Sequence, residues 1–486
     1  MTPTDPSGPK AGVAAPRRSS TSAPAAFLLA SLASIVLAAF VAWGRPILAG
    51  RWSLLAMLGA WAALWLVAVA AAFRTPKRLA VAVILAAGVA LRLAALAGPP
   101  TTSDDLYRYT WDGRVQAAGI DPYLSPPSAT RLASLREPWL WPDAEGCARL
   151  DRAPGCTRIN RADAPTIYPP LAETWFSAVS RIAGIGARHK AWQVAGLVTE
   201  LATMGLLGFA LRRWGRDPRW LALYALSPAP VLEVVNNGHV DGLAVLLLVA
   251  ALAVVAPGPD SRAPVRDVAT GLLIGAAALV KLYPAIALVG LVGARRLWRA
   301  RALWRAAGAS VALMIVAYAP HVARVGAKVL GYLPGYLGEE HYRGGTRYLI
   351  AGAFHTPAGM AGAVSATAVV VAVSWAWWRC WPAADAVALA LGALLLAASP
   401  VQPWYALALL AVATVAARPA WAAVTLAGYP YFFAVILASS HAAGVGQVSY
   451  LMALAAVAAV GMAGRGRRAA ARPLGAHEAL AASAGS

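Results

Sequence analysis

The chain is a succession of apolar runs, many about as long as a bilayer is thick, separated by short clusters of Lys and Arg. A run of about 20 apolar residues crosses the hydrocarbon as a helix, because every backbone polar group there must be satisfied within the segment. That pattern restricts the fold to an all-α polytopic membrane protein. Composition agrees: 59% of residues are hydrophobic and 13% charged, against about 25% charged in a soluble domain. A net charge of +21 would suit nucleic acid. The cations instead lie between spans, as in the cytoplasmic loops of membrane proteins, so a nucleic-acid partner is excluded.

The same cations orient the chain. Residues 1–25 are rich in Pro, Ser, Thr and Ala and read as a disordered cytoplasmic tail with Arg17 and Arg18 at its end. The first spans fall at about Ala26–Trp43, Ser53–Phe73 and Leu79–Ala97. The first lacks a cleavage site and is read as retained. The basic loop Arg74–Arg78 is cytoplasmic, so the third span emerges on the far side. A long extracytoplasmic loop, 98–190, follows. Span four, Ala191–Leu211, returns to a basic cluster at Arg212, Arg213 and Arg216. Shorter runs then follow at about Trp220–Val235, Gly242–Val255, Val268–Val280 and Ala285–Val292. A basic block (Arg295, Arg296, Arg299, Arg301, Arg305) is cytoplasmic. A ninth span, Ala306–Ala319, leads to a second extracytoplasmic loop, 320–357. Five more runs lie between Ala358 and Met462. The membrane domain is 26–464, with about 12–14 transmembrane helices, and 465–486 form a basic and polar cytoplasmic tail. Both termini are cytoplasmic in a multi-pass plasma-membrane protein.

Ten of the chain's 21 acids sit in the first long loop, and loops of that length are usually functional or disordered. Its Pro and Trp content favours order, and Leu171–Ile185 has an apolar face suited to lying on the membrane. Cys147 and Cys156 also lie there. A disulfide between them requires that the loop be extracytoplasmic, and two free thiols are the alternative. Cys380 stands alone, and no zinc spacing is present.

The stretch Ser103–Tyr123 (SDDLYRYTWDGRVQAAGIDPY) opens that loop. Asp104 and Asp105 stand where a span leaves the membrane, with Asp104, Arg108 and Trp111 spaced to share a helix face. An acid pair followed by Arg and aromatics suits a polar lipid head group; the alternative is a helix start whose acids answer the dipole. Further polar groups fall on the same side: Tyr168 in PTIYPPLAE, His239 and Asp241 in NNGHVDG, Lys281 in VKLYP, Glu339 and Glu340, and Gln402 and Trp404 in SPVQPWY. Ionisable groups at membrane depth are costly and usually functional, so one shared pocket is expected. Individually, Lys281 reads as a phosphate contact or a snorkelling cation, and His239 and Asp241 as site residues or a helix cap. Glu339 reads as a site acid or a solvated one, and Trp404 as a pocket wall or part of an aromatic belt.

Together these motifs, from about 100 to 405, resemble the polytopic GT-C glycosyltransferases that use a polyprenyl-phosphate sugar. The similarity is to actinobacterial mannosyltransferases of the glycosyltransferase 87 and lipoglycan-mannan-elongating type. The resemblance implies a GT-C-like fold with a large first extracytoplasmic loop. It also implies transfer of a hexose, mannose by analogy, from the lipid phosphate to a cell-envelope glycan or glycolipid. An acid in that loop is the implied base, which maps to Asp105 or Asp104, with Asp105 preferred. The chemistry needs a base for the acceptor hydroxyl, cations such as Lys281 and Arg108 for the departing phosphate, and apolar grooves for the lipid. Direct displacement inverts the anomeric centre. The need for a divalent metal is open: Asp104 and Asp105 are able to hold one, and no histidine cluster calls for it. The competing reading is a multi-span transporter or flippase of lipid-linked sugars. It predicts internal repeats and polar groups at the bilayer midplane, and the sequence displays neither.

Overall fold

The computed structural model describes residues 22–43, 51–184, 186, 188–257, 263–291 and 298–470. Arg17, Arg18, Arg295, Arg296 and most of the two expected tails lie outside these residues. Among the described residues there is no strand. Eight helices are long and apolar enough to cross a bilayer, and three further apolar helices, Asp241–Val255, Ala383–Ala398 and Pro403–Ala416, are shorter.

Three long helices come first: α1 (Ser22–Trp43), α2 (Arg51–Ala72) and α3 (Lys77–Ala97). They pack as one bundle around Phe27, Trp61 and Trp65, each 1% exposed or less. Their outer faces leave Leu28, Leu32 and Val67 open to the surroundings, as a lipid-facing surface does. Next come α4 (Asp105–Ala117) and α5 (Pro170–Ala183). The apolar face of α5 differs from the membrane-surface role expected for Leu171–Ile185. Ala172, Phe176 and Val179 are buried with Leu106 and Tyr109 of α4. Its apolar area is therefore used on protein rather than lipid. Between α4 and α5 the chain is irregular but ordered, and Cys147 and Cys156 are bridged.

Helix α6 (His189–Arg213) returns across the membrane, and the chain then breaks. The run read as Trp220–Val235 is a series of short turns, with Pro218, Pro228 and Pro230 opening them and a π-type turn at Val231–Asn236. Proline lacks the N–H that would continue a helix. Residues 221–242 are nonetheless buried, so side chains satisfy the freed backbone groups. Gln193 Nε2 donates to the carbonyls of Gly98 and Asn236 at 3.1 and 2.7 Å. Gly196 of α6 is required here, since a Cβ would stand 2.1 Å from the Val234 carbonyl oxygen.

The remaining helices are α7 (Asp241–Val255), α8 (Ala263–Ala278), α9 (Trp298–Val325), α10 (Leu333–Glu339), α11 (Ala358–Trp378), α12 (Ala383–Ala398), α13 (Leu407–Ala416), α14 (Ala422–Ile436) and α15 (Ala442–Ala470). Helix α9 passes through Pro320 and ends at Val325, six residues into the stretch expected to be loop. Residues 283–290 form only single turns after Lys281. Helices α7, α12 and α13 are central, with most of their residues buried, whereas α11 and α15 are largely exposed.

Candidate active site

The breaks in the helices converge. Asn236 and Asn237, at the end of the π-type turn, hold the strand of chain that leads into the acid pair. Thr101 N donates to Asn236 Oδ1 at 3.0 Å, and Thr102 N to Asn237 Oδ1 at 3.0 Å. Asn236 Nδ2 in turn donates to the Pro99 carbonyl at 2.9 Å. Gly238 has φ +71°, a conformation that glycine adopts without strain, and this turns the chain so that His239 faces Asp105.

Asp104 occupies the N-cap position of α4, but its side chain makes no capping hydrogen bond; Ser103 Oγ accepts from Asp105 N at 3.2 Å. Asn160 Nδ2 instead bridges the acid pair, donating to Asp105 Oδ1 at 2.6 Å and to Asp104 Oδ1 at 3.0 Å. Burial and the Asp105 charge push the Asp104 carboxyl above the usual range, so the second charge of the pair is the one disfavoured. Tyr168 OH donates to Asp105 Oδ2 at 3.4 Å. His239 Nδ1 lies 3.6 Å from the same oxygen, and its Nε2 lies 3.6 Å from Glu233 Oε2. The imidazole stacks on Trp404 with ring centroids 4.0 Å apart. Glu233 accepts from Tyr429 OH at 2.9 Å and Asn237 Nδ2 at 3.0 Å.

Lys281 sits across from this group. Its Nζ is 3.5 Å from Asp241 Oδ2 and lies over the rings of Tyr168 and Tyr405 at 4.8 and 5.5 Å. Both carboxylate oxygens of Asp241 are buried without a hydrogen bond. Arg108 has three roles. Nε grips Asp112 Oδ1 and Oδ2 at 3.0 and 2.9 Å, Nη1 donates to the Ala164 carbonyl at 3.0 Å, and Nη2 is buried with no partner. Behind Asp112, Glu173 accepts from Thr166 Oγ1 at 2.6 Å and Gln116 Nε2 at 2.8 Å. Burial beside Asp112 raises the Glu173 carboxyl well above the ordinary range.

These groups border a cavity of about 450 Å³. Its polar lining includes Asp104, Asp105, Asn160, Arg161, Lys281 and Gln402. Its apolar lining includes Leu333, Leu394, Leu395, Ala398, Phe432 and Ile436. Of the residues expected from sequence, Asp104, Asp105, Arg108, Tyr168, Lys281, Gln402 and Trp404 line the cavity. His239 and Asp241 stand behind its wall, against Asp105 and Lys281. Glu339 does not line it; half-exposed at the rim, it is held by Arg161 at 2.5 Å and by Tyr332 OH at 2.7 Å. Its neighbour Glu340 points inward, accepting from Gln402 Nε2 at 2.9 Å and pairing with Arg347 at 2.7 Å. Trp111 does not join the face with Asp104 and Arg108; it packs with Leu132, Leu140 and Ile159.

Sequence reasoning missed Asn160, Arg161, Tyr336 and Glu233. The first two lie in a polar loop where such residues are ordinary. Glu233, within an apolar run, carried the same signal of a costly buried charge as His239. Among the described residues no three His, Cys, Asp or Glu side chains are grouped to hold a metal ion. Asn160 already occupies one oxygen of each paired carboxylate.

No curated protein matches the chain. A solved structure, the Archaeoglobus fulgidus oligosaccharyltransferase in complex with zinc and sulfate, aligns over 77% of this chain at 12% identity and TM-score 0.38. The alignment spans 53% of that protein's length, a likeness too slight to fix the fold. The glycosyltransferase family 87 model matches residues 166–400, a stretch holding Tyr168, His239, Asp241, Lys281 and the central helices. That match covers just under half of the chain; with the membrane-spanning helices it makes the chain similar to multi-pass membrane glycosyltransferases of family 87.

Proposed function

We propose that the chain moves a hexose, mannose by family analogy, from a polyprenyl-phosphate donor to a glycan or glycolipid acceptor. The cavity faces the extracytoplasmic side in this reading. The bridged Cys147–Cys156 pair supports that side, since disulfides persist in oxidising compartments. The observation that carries the proposal is the cavity's mixed lining: a carboxylate pair and cations share it with apolar side chains that suit an isoprenoid chain.

The donor phosphate sits between Lys281 and the free Nη2 of Arg108, with its lipid along Leu394, Leu395 and Phe432. Asp105 takes the proton of the acceptor hydroxyl. That oxygen attacks the anomeric carbon as the carbon–oxygen bond to phosphate breaks, and the bonding pair leaves on the phosphate. The cations stabilise the charge that develops there, and a single displacement inverts the anomeric centre. Asp105 is the better base because Asp104 is the carboxyl driven toward its neutral form. Tyr168 and Asn160 aim Asp105.

The test is transfer from radiolabelled polyprenyl-phosphate mannose by the purified chain in liposomes. Asp105→Asn should lower turnover about 10²- to 10⁴-fold while donor still binds. Wild-type turnover in Asp105→Asn would remove the base assignment. Transfer from a different lipid-linked hexose, with none from mannose, would move the sugar and keep the chemistry.

A further inference from the structure

A second, larger cavity of about 740 Å³ lies at the other end of α12. Asp385 and Leu389 line it, whereas Leu394 and Ala398 of the same helix line the candidate active site. From Asp385 to Ala398 is thirteen residues, about 20 Å of helix rise. The two cavities therefore face opposite sides of the membrane domain.

The charges of the second cavity are lopsided. Asp385 is buried and is shared by two guanidiniums, Arg418 Nε at 2.6 Å and Arg216 Nη2 at 3.5 Å. Arg379 lines the same cavity and, among the described residues, has no carboxylate within ion-pair distance. Two cations and one anion line the cavity, an excess of one positive charge, and Arg216 adds to the compensation of that anion from outside the lining. The indoles of Trp375, Trp381 and Trp421 border the cavity, and the first two pack with centroids 5.1 Å apart.

The rest of the wall is apolar. Helix α15 contributes Val457, Val460 and Met462. Val460 and Met462 are 54% and 65% exposed, and Trp378 beside Arg379 is 68% exposed. A rim of exposed apolar side chains opens toward hydrocarbon, not water. Cations, tryptophans and an apolar wall in one cavity match the two parts of a membrane lipid.

We propose that this cavity binds one anionic glycerophospholipid from the leaflet opposite the candidate active site. Its phosphate sits against Arg379 and Arg418, and an acyl chain lies along Val457 and Val460 of α15. The excess positive charge selects a net-negative head group over a zwitterionic one. The apolar rim selects a lipid over a soluble phosphate. The proposal does not depend on which sugar the enzyme transfers.

The experiment is native mass spectrometry of the purified full chain. It is titrated with phosphatidylglycerol and with phosphatidylcholine of the same acyl chains. The wild type should retain one phosphatidylglycerol with about tenfold preference. Arg379→Gln should bring retention down to the phosphatidylcholine level, and Arg379→Lys should keep most of it. Arg379 is exposed and lies over the Trp378 ring, with no carboxylate partner among the described residues, so the substitution leaves the fold intact, and an unchanged melting temperature checks this. Excess glycerol 3-phosphate should not displace the lipid. Equal retention of the two lipids would overturn the proposal, as would full preference in Arg379→Gln or displacement by glycerol 3-phosphate.

Discussion

Two of the buried charge clusters among the described residues are built on different terms. In the first, α3 and α6 are clamped by Arg92 and Glu200, both fully buried. Arg92 Nη2 donates to Glu200 Oε2 at 2.6 Å, and its Nη1 to the carbonyls of Gly88 and Ala225 at 2.9 and 2.8 Å. Tyr224 OH supplies the other carboxylate oxygen at 2.7 Å. Each carboxylate oxygen and each guanidinium nitrogen has a partner, including the Ala225 carbonyl that the broken helix leaves spare. In the second cluster the contacts are long and incomplete. His239 Nε2, both oxygens of Asp241 and Arg108 Nη2 are buried without hydrogen bonds, and Lys281 approaches Asp241 only to 3.5 Å. Buried polar groups normally find partners, and those that do not mark places where function overrides stability. The complete cluster holds helices together, and the incomplete one is open to a substrate.

The contrast breaks most sharply under removal of one charge. Asp105→Asn should abolish transfer, by about 10²- to 10⁴-fold, with the melting temperature in detergent nearly unchanged. Arg92→Met should do the reverse, costing about 3–5 kcal/mol of stability because Glu200 is left buried and uncompensated. The double variant Arg92→Met with Glu200→Met should regain most of that loss. Thermal melting of the three variants reads it. If Arg92→Met melts like the wild type yet loses activity, the two clusters are not different in kind.

What the sequence made legible follows the same division. Long spans were readable because hydrocarbon demands unbroken apolar runs, and α1, α2, α3 and α6 fall close to their expected bounds. Asp104, Asp105 and Lys281 were readable because a charge beside such a run is costly and stands out. The broken chain at 218–240 was not readable as such, because its residues are mostly apolar and its path is set by bonds to other elements, from Asn236 to Pro99, from Asn237 to Thr102 and from Gln193 to Asn236. Asn160 was hidden too: it reaches the acid pair from 55 residues beyond Asp105, out of a loop where a polar residue carries no signal. Glu339 and Glu340 were indistinguishable as neighbours. Successive positions on a helix point about 100° apart, so one faces the rim and the other holds Gln402.

A smaller effect sharpens the reading of the incomplete cluster. Among the described residues Lys281 meets Asp241 and two tyrosine faces, so its charge is available to the donor phosphate. Lys281→Ala should raise KM for the donor about tenfold, equivalent to about 1.4 kcal/mol, and Lys281→Arg should recover part of it. Donor saturation curves in liposomes measure this. An unchanged KM in Lys281→Ala would assign the lysine to Asp241 alone and make this part of the cluster structural.

The smallest effect concerns Glu173, which lies between the two kinds. It is fully buried, it accepts from Thr166 and Gln116, and Arg108 compensates its neighbour Asp112 rather than Glu173 itself. Burial and the Asp112 charge raise its carboxyl well above the ordinary range, so the folded chain keeps a proton that the unfolded chain gives up. Stability from this group is complete below the unfolded value of about 4.3. It is lost as pH rises through the window between that value and the folded one, by at most about 1.4 kcal/mol per pH unit. Glu173→Gln imitates the protonated form and does not titrate. Its melting temperature should therefore gain on the wild type as pH is raised from 5 to 8, the gap being smallest at pH 5. Parallel melting curves across that range would mean that Glu173 is ionised in the fold. The proton would then belong to Asp112, and Arg108 would be freer to meet a phosphate than its bidentate grip on Asp112 suggests.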